Sequence, residues 1–279
     1  MCSYPSQNQG AALLLVLMIA AAMASIMIYM SEKGSNSARM ANLVKQHSRA
    51  KMLVDSAQAE LINELMTTSL GILGPNGSYN GIKPENPSVT NFIGEPTKRD
   101  QLEIVVQDAS GLVSVSPMND KGFETLLRYN GVSSDDVTRI KDRLDDWQDA
   151  DGLRRIEGAE KGDYSQAYLP TNTDIQMVEE FRYILENDHL YEQIKPFLLV
   201  GSYPYIVRQF TPKSLYSAFG FEGKVSEQNS GEGLENPLSS GKLLIQISHN
   251  EAVAYSKQFI FERGAGLRPY FISNEQIVD

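Results

Sequence analysis

An apolar run near the start of the chain constrains this sequence more than any other feature. The 20 residues from Ala11 to Met30 carry no charge, and the first charged residue after them is Glu32. An α-helix rises about 1.5 Å per residue, so this run is about 30 Å long, which matches the hydrocarbon thickness of a bilayer. We therefore expect one membrane-spanning or fibre-core helix at the start of a chain whose remainder is soluble and globular.

Helical periodicity continues well beyond the apolar run. Apolar residues recur at steps of three, four and seven, and charged residues occupy the other faces. These apolar residues are Met40, Leu43, Val44, Ala50, Val54, Ala57, Leu61, Ile62 and Leu65. No proline interrupts residues 11–69, and Gly34 weakens a helix by only about 1 kcal/mol. The pattern favours one helix of roughly 90 Å over an anchor followed by an unrelated core helix.

Different readings of the N-terminal segment compete. A cleaved secretory signal would have a shorter apolar core, with Ala22-Met23-Ala24 as a loose cleavage site. A lipoprotein is excluded because Cys2 precedes the apolar run instead of following it. The boundary at Gly10 resembles the type IV pilin and pseudopilin class, in which a membrane peptidase cuts after that glycine. The new first residue, here Ala11, is then usually methylated.

The fifth residue after this boundary is Leu15, whereas pilins usually have Glu at that position. The Glu carboxylate neutralises the N-terminal ammonium of a neighbouring subunit inside an apolar fibre core, where an unpaired charge is very costly. A subunit without the carboxylate cannot neutralise the N-terminus of a subunit above it. We therefore expect this chain at the end of a fibre.

Composition excludes several classes of function. The net charge is −10, and a strongly acidic chain is a poor general partner for nucleic acid. The single cysteine excludes an intrachain disulfide and a cysteine-based zinc site. The three histidines lie far apart in sequence, and no Gly-x-Ser-x-Gly, His-Glu-x-x-His or phosphate-loop motif occurs. We expect no catalysis.

Between the long helix and the end of the chain, the pattern changes several times. Residues 71–100 are rich in Gly, Pro and Asn and predict a long loop or linker. Residues 101–116 predict a β-hairpin, with two β-branched runs joined around Asp108-Ala109-Ser110-Gly111. After a second polar loop over residues 222–240, alternating segments predict strands of an antiparallel sheet with one wet face.

Helical periodicity dominates residues 119–200. Two helix–turn–helix pairs are predicted, and Ser133 or Ser134 caps the second helix of the first pair. Similar hairpins bind DNA through a Gly-x-Gly turn, but the first turn has only Gly131 and the second has neither glycine. Residues 119–200 hold 18 acidic against 10 basic residues, so phosphate would be repelled and we expect no nucleic-acid partner.

The most specific stretch is LDDWQDADGLRRIEGAEKGDYSQAYLP, residues 144–170. It resembles the D-W-x-D-A-D, R, G-A-E and Y signature of the K component of the type II secretion pseudopilus, general secretion pathway protein K. The matching residues are Asp146, Trp147, Asp149, Ala150, Asp151, Gly158, Ala159, Glu160 and Tyr164. The segments DASGLVSVS and EEFRYILENDHLYEQIKPFLLV are also similar to this family. Leu15 agrees with the family's general lack of the acid.

The resemblance implies an α+β pseudopilin fold. In that fold a long N-terminal helix packs on a small antiparallel sheet, and a large all-α domain of helix-hairpin-helix-like pairs is inserted. The predicted segments are a prepilin leader (1–10), a transmembrane or fibre-core helix (11–31), its amphipathic continuation (32–70), a linker with the first strands (71–118), the inserted helical domain (119–220), and a polar loop with the C-terminal strands (221–279).

The resemblance also implies a function in assembly. It describes a minor pseudopilin at the tip of a periplasmic fibre, anchored by a single pass in the bacterial inner membrane, that helps to initiate assembly and supports export of folded proteins. Its implied partners are the I, J and H minor pseudopilins, the major pseudopilin, the prepilin peptidase and the inner-membrane assembly platform. The alternatives are a minor pilin of a type IV pilus or competence pseudopilus, and a membrane-anchored calcium-binding module.

Carboxylates crowd the same specific stretch, around Gly152, Gly158 and Gly162. Such clusters on a loop suit Ca²⁺, which takes six to eight oxygen ligands with loose geometry, and the family resemblance also implies calcium binding. The candidate ligands are Asp146, Asp149, Asp151 and Glu160. The alternatives are solvated helix and turn acids here, or a rival calcium loop from Glu222 to Glu235. Trp147 is expected to anchor the core.

Overall fold

The computed structural model describes residues 8–166, 168–222, 238–250, 253–264 and 268–278. The helices are α1 (Asn8–Thr67), α2 (Leu70–Leu73), α3 (Asp120–Tyr129), α4 (Ser134–Gln148), α5 (Phe181–Leu185) and α6 (Asp188–Ile194). The strands are β1 (Ile93–Arg99), β2 (Leu102–Asp108), β3 (Val113–Ser116), β4 (Leu198–Val200), β5 (Lys242–Asn250), β6 (Ala254–Arg263) and β7 (Tyr270–Val278).

The predicted long helix is confirmed as α1, which runs through 60 residues without a break and is therefore about 90 Å long. It is long and apolar enough to cross a membrane, judged by length and composition. Its side chains are exposed from Ala11 to Lys45, and burial begins at Ala50. At its C-terminal end, Arg263 donates a hydrogen bond to the carbonyl oxygen of Leu65, which places a cation where the helix dipole favours one.

The second half of α1 packs on a five-stranded antiparallel sheet with the order β1-β2-β5-β6-β7. We call α1 from Ala50 onward together with this sheet the head. Its core combines the helical stripe with alternate residues of the central strands. The buried members include Val54, Leu61, Leu65, Ile104, Val106, Leu243, Ile245, Ile247, Phe259 and Phe261. This arrangement confirms the predicted α+β fold.

The described residues between β2 and β5 lie outside this sheet and have their own core, and we call residues 109–222 of this insertion the helical body. Two α-hairpins, α3–α4 and α5–α6, pack around the fully buried Trp147. The caps follow local rules: Ser133 Oγ accepts from the backbone N–H of Asp136, and Asn187 accepts from the N–H of Leu190. The helical body also holds two short parallel strands, β3 and β4; the sequence predicted a strand at β3 but neither β4 nor this pairing.

The predicted hairpin over residues 101–116 is wrong. β2 pairs with β1 and β5, whereas β3 pairs with β4 in the other sheet. Between β2 and β3, the Asp108 carboxylate accepts hydrogen bonds from the Ser110 N–H and hydroxyl and caps a short 3₁₀ turn. The turn residues therefore redirect the chain into the helical body instead of folding it back on itself.

The prediction of a loop throughout residues 71–100 is also wrong in its last part. Residues 93–99 form the edge strand β1, which is irregular between Ile93 and Pro96. Gly94 has a positive φ of 77°, a conformation that favours glycine, and Pro96 cannot donate to a strand ladder. Because Gly94 and Pro96 are also common in loops, the composition of this segment predicted a loop, although both residues are typical of a bulged sheet edge.

Hydrogen bonds and a small apolar cluster join the helical body to the sheet. The second carboxylate oxygen of the buried Asp108 accepts hydrogen bonds from Ser239 Oγ and the Ser240 backbone N–H. One side chain therefore joins the end of β2, where the chain leaves the sheet, to the segment before β5, where the chain returns to it. Gln107 Nε2 donates to the carbonyl of Phe210 across the same joint. The apolar part consists of Ala109, Leu112 and Leu199, with Leu244 and Ile260 packed against them.

Candidate functional site

The acidic loop that follows α4, residues 149–166, is organised around one arginine. Arg155 Nη1 lies 2.7 Å from Asp146 Oδ1 and 2.6 Å from Asp149 Oδ2. Its backbone N–H also donates to Asp146 Oδ2 at 3.1 Å. Asp146 is completely buried, and a buried carboxylate needs such partners because an unpaired charge away from water is very costly. The Asp146–Arg155 contact therefore fixes the start of the loop against the end of α4.

Beyond this contact, the structure brings three of the four predicted ligands together. Asp149, Asp151 and Glu160 each offer one carboxylate oxygen, and these three oxygens lie within 4.8 Å of one another. Calcium–oxygen distances are about 2.3–2.6 Å, so one ion can touch three oxygens with this spacing. Asp146 is not in this group, because both of its oxygens face Arg155.

Two of these three residues each have a buried carboxylate oxygen that favours a bound cation. Within the described residues, Asp149 Oδ1 and Glu160 Oε1 are buried and have no hydrogen-bond partner. Burial, together with repulsion from Asp146 and Asp149, raises the pKa of Glu160 above its usual value. A divalent cation would satisfy both oxygens and relieve the repulsion, so the three carboxylates fit a hard, oxygen-seeking ion such as Ca²⁺. The rival loop from Glu222 to Glu235 lies almost wholly outside the described residues.

The loop rests on an aromatic core that holds α4 in place. Trp147 is fully buried, as expected for a core anchor, and its indole N–H donates to Glu180 Oε2 at 2.7 Å. The other oxygen of Glu180 accepts from the backbone N–H groups of Gln176 and Met177. The ring of Tyr164 meets Trp147 edge-on at 5.4 Å between ring centroids. The loop and the second α-hairpin are thereby held to the same tryptophan.

Sequence reasoning missed Arg155 and Glu180, although both carry essential contacts of this region. Arg155 lies within the stretch that resembles the family, but its spacing from Asp146 does not reveal the ion pair that the two residues form. Glu180 lies 33 residues from Trp147, so only the fold brings them together. A more informative signal was the glycine at 158: a Cβ there would lie 1.9 Å from Asp146 Oδ2, so this position requires glycine.

The predicted processing and assembly residues lie at the other end of the molecule. α1 begins at Asn8, so the backbone of Gly10 is already helical. Ala11 and Leu15 are on the exposed N-terminal part of α1, and Leu15 is 61% exposed. A row of large apolar side chains with this exposure needs lipid or the helices of other subunits around it.

Comparison with known proteins places the central segment in one family. Residues 101–202 match the family model described as "Type II secretion system (T2SS), protein K". The chain is also 31% identical to the type II secretion system protein K of Pseudomonas aeruginosa PAO1 over 35% of this chain. The match spans about a third of the length of that relative, 33%.

The fold agrees with one solved structure. The chain is similar to a chain in the crystal structure of the GspK–GspI–GspJ complex from the type 2 secretion system of enterotoxigenic Escherichia coli, with a TM-score of 0.53. The similarity covers 84% of this chain and 99% of the other, at 12% sequence identity. At that identity the likeness concerns the fold.

Proposed function

Because this chain belongs to the type II secretion system protein K family, we propose that it is the minor pseudopilin at the tip of the pseudopilus. In this proposal it joins the I, J and H minor pseudopilins to initiate a fibre of the major pseudopilin. The fibre then supports export of folded proteins across the outer membrane. The chain performs no catalysis, and its role is to assemble.

One observation carries the proposal: the long rod and the inserted helical body occur in a single chain. The rod, α1, presents a bare apolar segment of the kind that stacks in a fibre core. The helical body is inserted between β2 and β5, so it adds bulk beside a sheet that is otherwise small. A bulky insertion hinders addition of a further subunit above it, which agrees with the missing carboxylate at Leu15.

The proposal includes processing and location. The prepilin peptidase cuts after Gly10, and the new N-terminus at Ala11 is methylated. The apolar part of α1 then spans the inner membrane once, and the head and helical body lie in the periplasm. Intact-mass measurement of the chain from cells with an active prepilin peptidase should show loss of residues 1–10 and one added methyl group. An unprocessed mass in those cells would contradict this part.

The proposal also includes calcium at Asp149, Asp151 and Glu160. The two buried oxygens without partners support it, together with the raised pKa of Glu160. Calcium would neutralise the crowded carboxylates, while Arg155 holds Asp149 from the other side through Oδ2. The ion would thus stiffen the loop that projects Leu153 and Ile156, which are 77% and 90% exposed.

The test of the assembly function uses the full-length chain in detergent micelles. We expect it to co-purify with the I and J minor pseudopilins in a defined ratio. A matched control is the same chain with Leu15→Glu, which restores the usual acid and should leave binding of the heads unchanged. Failure of the unmodified chain to bind either partner would contradict the proposed function.

A further inference from the structure

A stretch of α1 that runs from the end of the membrane segment into the first turn of the head is largely exposed and strongly basic. It contains Lys33, Arg39, Lys45, Arg49 and Lys51, and no Asp or Glu occurs from residue 33 to residue 54. We call residues 33–51 the basic neck. It holds five of the 25 basic residues of a chain whose net charge is −10.

The five cations of the basic neck are exposed, and they form no ion pair with another residue that the structure describes. Elsewhere the described residues form many ion pairs, such as Arg155 with Asp149 and Lys257 with Asp55. Within the described part of the chain, none of the five neck cations lies within 4.0 Å of a carboxylate oxygen. An acidic protein thus has a group of five cations that no described carboxylate of the same chain pairs with.

The basic neck also has an uncovered apolar face. Met40, Leu43 and Val44 are 64%, 52% and 59% exposed. Leu43 lies seven residues before Ala50, and Ala50 lies four residues before Val54. Leu43, Ala50 and Val54 therefore share one face of the helix. Ala50 and Val54 are buried against the sheet. The core stripe of α1 therefore continues into the neck, where no described residue covers Met40, Leu43 and Val44.

The neck sequence is also a weak helix former. Gly34, Ser35, Asn36 and Ser37 follow one another, and all four have low helix propensity. Most helical stability in proteins comes from packing of an apolar face. A helix of this composition needs a neighbour to hold it.

Distance decides between lipid and protein as that neighbour. If the hydrocarbon ends near Met30, Lys33 lies about 5 Å beyond it and Arg39 about 13 Å. The headgroup region is only about 5–8 Å thick on each side, and charges are screened over about 8 Å at physiological salt. Lys45, Arg49 and Lys51 lie about 22–32 Å beyond Met30, out of reach of a bilayer surface.

We propose that the basic neck is the docking surface for an acidic, partly apolar surface of a different protein subunit in the fibre. A second copy of this chain in the same register would place cation against cation, so the partner is a different polypeptide. Its carboxylates would face Lys45, Arg49 and Lys51, and its apolar side chains would cover Met40, Leu43 and Val44. This inference rests on the proposed function, because it requires a fibre.

The test places the photo-crosslinking residue p-benzoylphenylalanine at position 44 of the full-length chain, expressed together with the complete secretion system. Mass spectrometry of the adduct should identify a peptide of another fibre subunit that carries Asp or Glu. In the variant Lys45→Glu/Arg49→Glu/Lys51→Glu, the adduct should fall at least about tenfold, because each reversal replaces an attraction with a repulsion.

The matched control is Lys83→Glu/Lys98→Glu/Lys121→Glu, which reverses three exposed cations away from the neck that form no ion pair with another described residue. It should keep the adduct at the unmodified level. Adducts with lipid alone, adducts with a second copy of this chain, or equal yields from the two triple variants would overturn the inference. If those results occur while the chain still co-purifies with other minor pseudopilins, only this inference fails. If co-purification also fails, the proposed function fails with it.

Discussion

The head and the helical body are built in different ways. The head depends on pairing between distant parts of the chain: Leu102 of β2 pairs with His249 of β5, on opposite sides of the insertion. The helical body depends on local α-hairpins, whose helices are capped by side chains a few residues away. The head can therefore form only when both ends of the insertion meet, whereas each α-hairpin of the helical body joins two helices that are adjacent in sequence.

The interiors of the two regions differ as well. The core of the head is apolar, and its buried charged groups lie at its margins: Lys257 contacts Asp55 and Glu275, and Asp108 faces the joint with the helical body. The helical body instead buries Asp146, Glu180 and Arg143 around one tryptophan. Buried polar groups are costly unless they are paired, so the helical body depends on particular partners. The head is thus stabilised mainly by apolar packing, whereas the helical body also needs particular hydrogen-bond and ion-pair partners.

The largest effect is expected from Trp147→Ala. The substitution removes the largest fully buried side chain and leaves Glu180 Oε2 without its indole donor. A loss of about 3–5 kcal/mol is typical for such a cavity. Hydrogen exchange of the full-length chain in micelles should show faster exchange in α3 to α6, with the sheet little changed. Trp147→Phe should cost less. Equal loss of protection in the sheet would show that the two regions are one cooperative unit.

A smaller effect is expected from Gly158→Ala. The new Cβ would lie 1.9 Å from Asp146 Oδ2, so the Asp146–Arg155 contact must shift. Overpacking of this kind costs about 1–3 kcal/mol. Gly152→Ala is the matched control, because no atom lies within 4 Å of its added Cβ. Thermal unfolding followed by tryptophan fluorescence, which reports Trp147 alone, should separate the two variants. Identical melting temperatures would contradict the assigned contact.

In the head, Lys257→Met should cost about 1 kcal/mol. Lys257 joins α1, β6 and β7, but Asp55 and Glu275 are nearly half exposed and can be hydrated when the cation is lost. Burial lowers the pKa of Lys257, yet hydrogen bonds to Asp55 and Glu275 raise it overall. The contribution is therefore complete below the unfolded pKa of about 10.4 and is lost as pH rises through the folded value. Denaturant unfolding followed by circular dichroism, with Lys98→Met as control, measures the loss. An equal loss of stability in the two variants would contradict a stabilising role for the contacts of Lys257 with Asp55 and Glu275.

The smallest effect without metal is expected from Glu160→Gln. The raised pKa of Glu160 means that the folded protein holds this proton more tightly than the unfolded chain. Ionisation therefore costs stability as pH rises from about 4.3 through the folded value, and glutamine avoids that cost. Without calcium the variant should be at least as stable as the unmodified chain at neutral pH.

With calcium the order should reverse. Millimolar Ca²⁺ should raise the melting temperature of the unmodified chain by a few degrees and leave Glu160→Gln unchanged, because a ligand that binds the folded state stabilises it. Glu157→Gln removes a neighbouring exposed carboxylate outside the group and should keep the calcium response. No calcium response in any of the three proteins would contradict the proposed metal site.

The sequence predicts best those features that depend on neighbouring residues. The periodic stripe up to Leu65 predicted α1, and Ser133 was correctly offered as an N-cap because capping is a local interaction. Trp147 was expected to anchor the core, and it is fully buried.

Long-range pairing could not be predicted in the same way. A run of β-branched residues predicts a strand but does not say which strand lies beside it, so β2 was paired with β3 instead of β1 and β5. β1 was missed because Gly94 and Pro96 suit both a loop and a bulged edge strand. The buried role of Asp146 depends on Arg155 folding back over α4, which is a tertiary event. The carboxylates could be listed as a set, but only the structure separates Asp146 from the other three.

The most direct test of the tip position is to see where the helical body lies on an assembled fibre. Replacing Lys121, an exposed residue of α3, with cysteine and Cys2 with serine gives one attachment site for a gold label. Electron microscopy of pseudopili assembled with the labelled chain and the major pseudopilin should show one label per fibre, at one end. Labels distributed along the fibre would contradict the account.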